Sequence, residues 1–181
     1  MLKAIETVYS GIDYRSRIEA RWAVVFDTLD VEYYYEPEHY ELGLKNEWTD
    51  NDEESMQEAI NQCWDSEDID HIKREAWWKK HEKLMYLPDF WLPEFKHWVE
   101  IKGKEPNFEE IRKANLIVRR RGEPISILWG NIPDPRAKLW GECTQVFGSD
   151  MNIIALLVLE CGVKAVERAY TVARQVRFEH R

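Results

Sequence analysis

Leu87-Pro88-Asp89-Phe90-Trp91-Leu92, followed by Trp98-Val99-Glu100-Ile101-Lys102-Gly103, decides how this chain folds. Residues 85–92 and 97–102 carry the aromatic and branched side chains of strands. Pro93-Glu94-Phe95-Lys96 between them reads as a turn, so the two strands are expected to pair antiparallel. Side chains alternate along a strand. Glu100 and Lys102 therefore share one face, while Val99 and Ile101 point to the core. Asp89 follows Pro88, which has no N–H to give to a ladder, so the strand should open or bend there.

Working outward, residues 14–30 read as a helix. Ile18, Trp22, Val25, Phe26 and Leu29 recur at helical spacing, with Asp13 or Ser10 as the cap. The tyrosine-rich run Glu32 to Glu36 is a first strand, ended by Pro37. Downstream, Asn107 with Glu110 three residues later starts a second helix, which should run to about Arg120 and stop at Gly122. Pro124 to Trp129 is a fourth strand. Residues 136–147 suit a short hairpin carrying Trp140 and Phe147. Asn152 to Leu159 fits a buried strand or a helix equally. Residues 163–178 form a terminal helix with Val163, Val166, Ala169, Tyr170, Ala173 and Val176 on one side. The order is αβββαβ: an α/β fold with a mixed central sheet. Between the first two strands lies an insertion over 45–84. Its segments Asp52–Trp64 and Ile69–Lys83 are expected to form an acidic helical hairpin that buries Trp64, Trp77 and Trp78.

With 181 residues, 44% hydrophobic and 33% charged, the chain suits one soluble domain, 1–181, with 45–84 inserted in it. Its longest apolar run, Ile153 to Leu159, is far short of a membrane span. The N-terminus lacks the apolar core of a secretory signal. Three scattered cysteines, Cys63, Cys143 and Cys161, suit a reducing compartment, so a cytoplasmic location is expected, or the host cytoplasm for a phage-encoded chain. The net charge of −9 opposes contact with nucleic acid until its distribution is read. Residues 41–70 hold eleven acids against Lys45 and so carry −10; subtracting this from −9 leaves +1 for the other 151 residues. The acidity belongs to the insertion.

Two carboxylates brought together repel unless a cation sits between them. Asp89 and Glu100 are thus a candidate site for Mg²⁺ or Mn²⁺, which prefer oxygen ligands and keep waters that leave room for a phosphate oxygen. Lys102 could orient or deprotonate an attacking water, or neutralise developing charge. Alone, Glu-x-Lys is equally a solvated strand face. A second copy, Glu94-Phe95-Lys96, falls in the turn, where no strand orients it. Cys63, His71 and His81 lack the spacing of a zinc site, and no phosphate-binding Gly-rich loop is present.

These motifs, together with Tyr14-Arg15-Ser16-Arg17-Ile18-Glu19-Ala20-Arg21-Trp22-Ala23, resemble the PD-(D/E)XK, or restriction-endonuclease-like, nuclease superfamily. The likeness is to small phage and prophage members. In those proteins an Arg-Ser-x-x-Glu-Ala-x-Trp-Ala helix precedes a tyrosine-rich strand, then Leu-Pro-Asp-Phe-x-Leu-Pro and Trp-Val-Glu-x-Lys-Gly. Ala173 to His180 is similar to their last helix. The likeness covers about 1–40, 84–130 and the C-terminal helix, and leaves out the insertion and 131–160. It implies a Mg²⁺-dependent deoxyribonuclease in which Asp89, Glu100 and Glu19 hold the metal and Lys102 assists. For Glu19 the residues alone allow a surface pair with Arg15 as well.

Arg15, Arg17 and Arg21 flank Glu19 and are expected near the mouth of the site, with Lys104 after the third strand. Arg119, Arg120 and Arg121 close the second helix, where cations are also favoured by the helix dipole alone. All seven are candidate DNA contacts. Arg174, Arg177 and Arg181 are weaker ones. A branched DNA substrate, as for a resolvase, would call for two cuts and a homodimer. The alternatives are a monomeric nicking or repair nuclease, and a non-catalytic binding module whose acidic insertion takes a basic protein partner.

Overall fold

The computed structural model describes residues 5–44, 54, 57–58, 60–61, 69–73, 76, 83–135 and 144–178. The chain divides into two compact units, Met1–His39 with Leu87–Arg181, and Tyr40–Tyr86. It is a mixed α/β protein. No helix of the described residues is long and apolar enough to cross a membrane.

The first unit opens with a hairpin, β1 (Thr7–Tyr9) and β2 (Ile12–Tyr14). Ser10 and Gly11, at φ 51° and 80°, make the two-residue turn that matches strand twist. This hairpin replaces the first turn of the helix expected from residue 14. Tyr14 is strand, and Ser16, rather than Asp13 or Ser10, caps α1 (Arg17–Thr28). A five-stranded sheet follows in the order β3 (Tyr34–Tyr35), β6 (Phe90–Leu92), β7 (His97–Lys102), β8 (Ile125–Trp129), β9 (Thr144–Phe147). Only β7 and β8 run parallel, bridged by α2 (Phe108–Arg121); the other neighbours are antiparallel. The chain ends in α3 (Ile153–Cys161) and α4 (Val163–Gln175).

The expected strand 85–92 is two strands in two sheets. β5 (Lys83–Tyr86) pairs with β4 (Tyr40–Leu44) in the second unit, while β6 joins the main sheet. Leu87, Pro88 and Asp89 lie between them, and Pro88 cannot continue a ladder. β4 itself was not anticipated, and Lys83 is strand rather than the end of a helix. Among the described residues of the insertion, Glu54, Gln57, Glu58, Ile60 and Asn61 are helical, as are residues 69–73 and Ala76. The expected packing of Trp64, Trp77 and Trp78 lies outside the described residues; so do residues 136–143 of the hairpin expected over 136–147, whose last four residues form β9, paired with β8.

The alternation of β7 separates two faces. Val99 and Ile101 join Phe90, Leu92 and Leu128 in one core with α1, α3 and α4, centred on Trp22, Phe26, Leu157 and Tyr170. Glu100 and Lys102 face the other way. α2 packs on β8 and β9 through Ala114 and Ile117. His97 is buried in the sheet with its Nε2 2.7 Å from Ser126 Oγ, which also accepts the Ile153 N–H at 3.0 Å. That hydroxyl satisfies one of the four donors that a helix start leaves without partners. It ties α3 to the sheet, and it settles 152–159 as a helix capped by Asn152.

Candidate metal centre

The hairpin register brings the two acids together. Phe90 pairs with Val99, so one step back along β6 and one step on along β7 sets Asp89 opposite Glu100. The ten-residue spacing of the two is therefore a property of a hairpin turned at Pro93–Lys96, where the Lys96 N–H donates to the Pro93 carbonyl. Asp89 is 1% exposed, Glu100 3% and Glu19 6%. Asp89 Oδ2 accepts the Ile101 N–H at 2.6 Å, which anchors it to β7. Its carboxyl is raised well above the ordinary carboxylate range by burial, then by the negative charges of Glu100 and Glu19; the Ile101 N–H and Arg15 act in the opposite direction. Three carboxylates thus share one buried neighbourhood.

Glu19 reaches it from the first turn of α1. Ser16 Oγ accepts the Glu19 N–H at 3.3 Å as the N-cap of the helix and donates to Glu19 Oε1 at 2.6 Å. Tyr35 Oη donates to Glu19 Oε2 at 2.6 Å and accepts the Arg15 N–H at 3.0 Å. Burial, then the bond to Glu19, raise the Tyr35 phenol above its ordinary value.

Two cations answer the acids. Lys102 Nζ is 2.5 Å from Glu100 Oε1 and 3.7 Å from Glu110 Oε1. Burial pulls the ammonium down, but Glu100, Asp89 and Glu110 outweigh it, and the net shift is upward. Arg15 pairs with both Asp89 and Glu36, not with Glu19 as a surface pair would require. Burial opposes its charge; Asp89 and the other acids prevail and raise it.

Among the described residues, no group of three or more His, Cys, Asp or Glu side chains stands arranged to hold a metal ion. Each carboxylate is instead held by its own donor: Asp89 by Arg15, Glu100 by Lys102, Glu19 by Ser16 and Tyr35. The donor set still has the chemistry of a hard divalent cation, all oxygen, buried and mutually repelling.

The structure gathers Asp89, Glu100, Lys102, Glu19 and Arg15. It does not gather the rest of the expected basic residues there. Arg17 and Arg21 line a separate cleft with Val176, Arg177 and Phe178. Arg119, Arg120 and Arg121 end α2 about ten residues from Glu110, roughly 15 Å along the helix axis. Lys104 is exposed beyond β7. Four residues that sequence reasoning did not assign take part: Ser16, Tyr35, Glu36 and Glu110. Asn107-x-x-Glu110 is legible as a capping box, and both of its hydrogen bonds are present. That the same Glu110 also faces Lys102 follows only from the crossover that sets the start of α2 beside the end of β7. The second Glu-x-Lys, at Glu94 and Lys96, is exposed in the turn, as expected. Cys63 and His81 lie outside the described residues, and His71 is exposed on a helix. Comparison with protein families, curated proteins and solved structures finds no match to this chain.

Proposed function

We propose that this protein is a metal-dependent DNA endonuclease with a restriction-endonuclease-like core. The single observation that carries the reading is Asp89 buried opposite Glu100, with the Lys102 ammonium 2.5 Å from Glu100. The element order α1, β3, β6, β7, α2, β8, with β7 and β8 parallel, supports it. Asp89 and Glu100 would hold Mg²⁺ or Mn²⁺, supported by Glu19. Bound there, the cation lowers the pKa of a coordinated water and stabilises charge on the scissile phosphate.

The protein's own groups do the rest. The Ile101 N–H fixes the Asp89 carboxylate, so one of its oxygens always has a set direction. Ser16 and Tyr35 do the same for Glu19. Lys102, held above its ordinary pKa, serves as a fixed cation facing the negative charge that develops at phosphorus. Arg15 balances Asp89 and must leave its Oδ1 before that oxygen can ligate a cation.

Supercoiled plasmid and a four-way junction, incubated with Mg²⁺ or Mn²⁺ beside EDTA and a Lys102→Ala control, test the proposal. Metal-dependent cutting that falls at least about 100-fold in the variant is expected. The better substrate then separates a resolvase, acting as a dimer, from a monomeric nickase. A second reading is favoured by the fact that all three carboxylates already have protein donors. It is a non-catalytic module that binds a basic partner through residues 41–70. A folded protein that cuts neither DNA with metal present overturns the first reading in favour of the second.

A further inference from the structure

Arg17 and Arg21 stand one turn apart on α1 and line a cleft of about 330 Å³ with Val176, Arg177 and Phe178. This places the cleft away from Glu19, because residues two apart on a helix point to nearly opposite sides. The cleft gathers three cations around an apolar floor. Phe178 is fixed in that floor by an edge-on contact with Tyr9, ring centroids 6.0 Å apart. Among the described residues none of the three arginines is in an ion pair, and the buried Arg21 Nε has no hydrogen-bond partner.

This arrangement is unfavourable as it stands. Like charges four residues apart on a helix repel. Arg17 is also the first residue of α1, at the end where the helix dipole disfavours a cation. A bound anion would relieve all of these terms at once. Guanidinium forks match phosphate oxygens in pairs, and the volume falls at the lower end for ligand pockets, about 300–1,000 Å³. The aromatic floor adds a surface on which a base or sugar can rest.

We infer that Arg17, Arg21 and Arg177 form an oxyanion pocket for a phosphate of a nucleic-acid strand, held on the far side of α1 from the carboxylate cluster. The choice of a strand over a free phosphate rests on the nuclease reading; the pocket itself does not. The pocket would fix the strand at a second point, so that the register of the bond being cut is set from two places.

The test is binding of a fluorescein-labelled single-stranded oligonucleotide in EDTA, by anisotropy across a salt series, for the wild type and Arg21→Gln/Arg177→Gln. About tenfold weaker binding and a salt slope reduced by about two are expected for the variant. Arg21→Lys/Arg177→Lys, which keeps the charge, should recover most of the slope but only part of the affinity. Circular dichroism melts check that each variant is folded, and Arg177→Gln alone, altering an exposed residue beyond α4, serves if the double variant is not. Unchanged affinity and slope in a folded variant would overturn the inference. A pocket-dependent thermal shift with inorganic phosphate, without any effect on the oligonucleotide, would overturn the strand assignment. Since the binding is read without metal, a wild type that binds through the pocket but never cuts would sink the nuclease reading and leave the pocket standing.

Discussion

At the residue scale, Arg15 is the side chain whose removal separates binding from balance. Its guanidinium occupies Asp89 and Glu36, so an incoming divalent cation competes with it. Arg15→Met should lower the melting temperature of the metal-free protein, because Asp89 loses its counter-charge in a buried site. The same variant should bind Mg²⁺ about tenfold more tightly by titration calorimetry, and show a larger thermal rise on adding it. Equal affinities in the two proteins would mean that Arg15 is not in competition. His97 makes a separate pH prediction. Burial depresses its pKa from 6.5 to about 4, so the folded state holds the neutral ring. A depressed base contributes stability that is complete above the unfolded value, near pH 6.5, and is lost as pH falls towards 4. The loss should be on the order of 3 kcal/mol in urea titrations, and His97→Gln should flatten that part of the profile.

At the element scale, the helices with strong caps were legible and the short strands were not. Asn107, Glu110 and Gly122 marked both ends of α2, because a capping box and a left-handed glycine are local chemistry. β7 was read to its residue bounds because the turn at Pro93–Lys96 and Gly103 bracket a run in which Val99 and Ile101 alternate with Glu100 and Lys102. The β1–β2 hairpin was missed, since Tyr14 lies one turn before Ile18 and so extends the helical apolar pattern, while strands of three residues leave little alternation to read. β4 and its pairing with β5 escaped because contacts between positions about forty or more apart leave no local trace. The same limit applied to the candidate site. Asp89, Glu100 and Lys102 follow from a hairpin, whereas Tyr35 and Glu36 join it only through the β3–β6 pairing. One packing point can be checked directly. Gly148 has φ +78°, and a Cβ there would stand 2.7 Å from Val118 Cγ1 on α2. Gly148→Ala should therefore destabilise the fold by roughly 2 kcal/mol in denaturant titrations, through strain and crowding together.

At the scale of the whole molecule, the acidic charge and the candidate site belong to different units. Residues 41–70 carry eleven of the thirteen acids of the second unit, while Asp89, Glu100, Lys102 and Glu19 all lie in the first. The second unit leaves the first and returns to it through a closed pair, Tyr40 with Tyr86 and Leu44 with Lys83. Replacing 45–82 with an Asn-Gly turn should therefore keep the β4–β5 hairpin and leave a chain that melts in one transition. If the nuclease reading holds, the shortened chain should cut DNA at close to the full rate. Faster cutting would mark the acidic segment as a restraint on the first unit, and loss of cutting in a folded protein would place that segment in the chemistry.

The pairing of Tyr40 with Tyr86 also bears on the order in which the chain assembles as it leaves the ribosome. β3 emerges long before its partner, since Tyr35 and Phe90 are 55 positions apart. Held open, that span is an entropic burden on the central sheet. Once Tyr40 and Tyr86 have met, only residues 36–39 and 87–89 remain between the two strands. By the logarithmic cost of closing a loop, the shortcut lowers the penalty by roughly 2 kcal/mol. The hairpin is thus a splint: it lets the oldest strand of the sheet find its partner as soon as that partner is made.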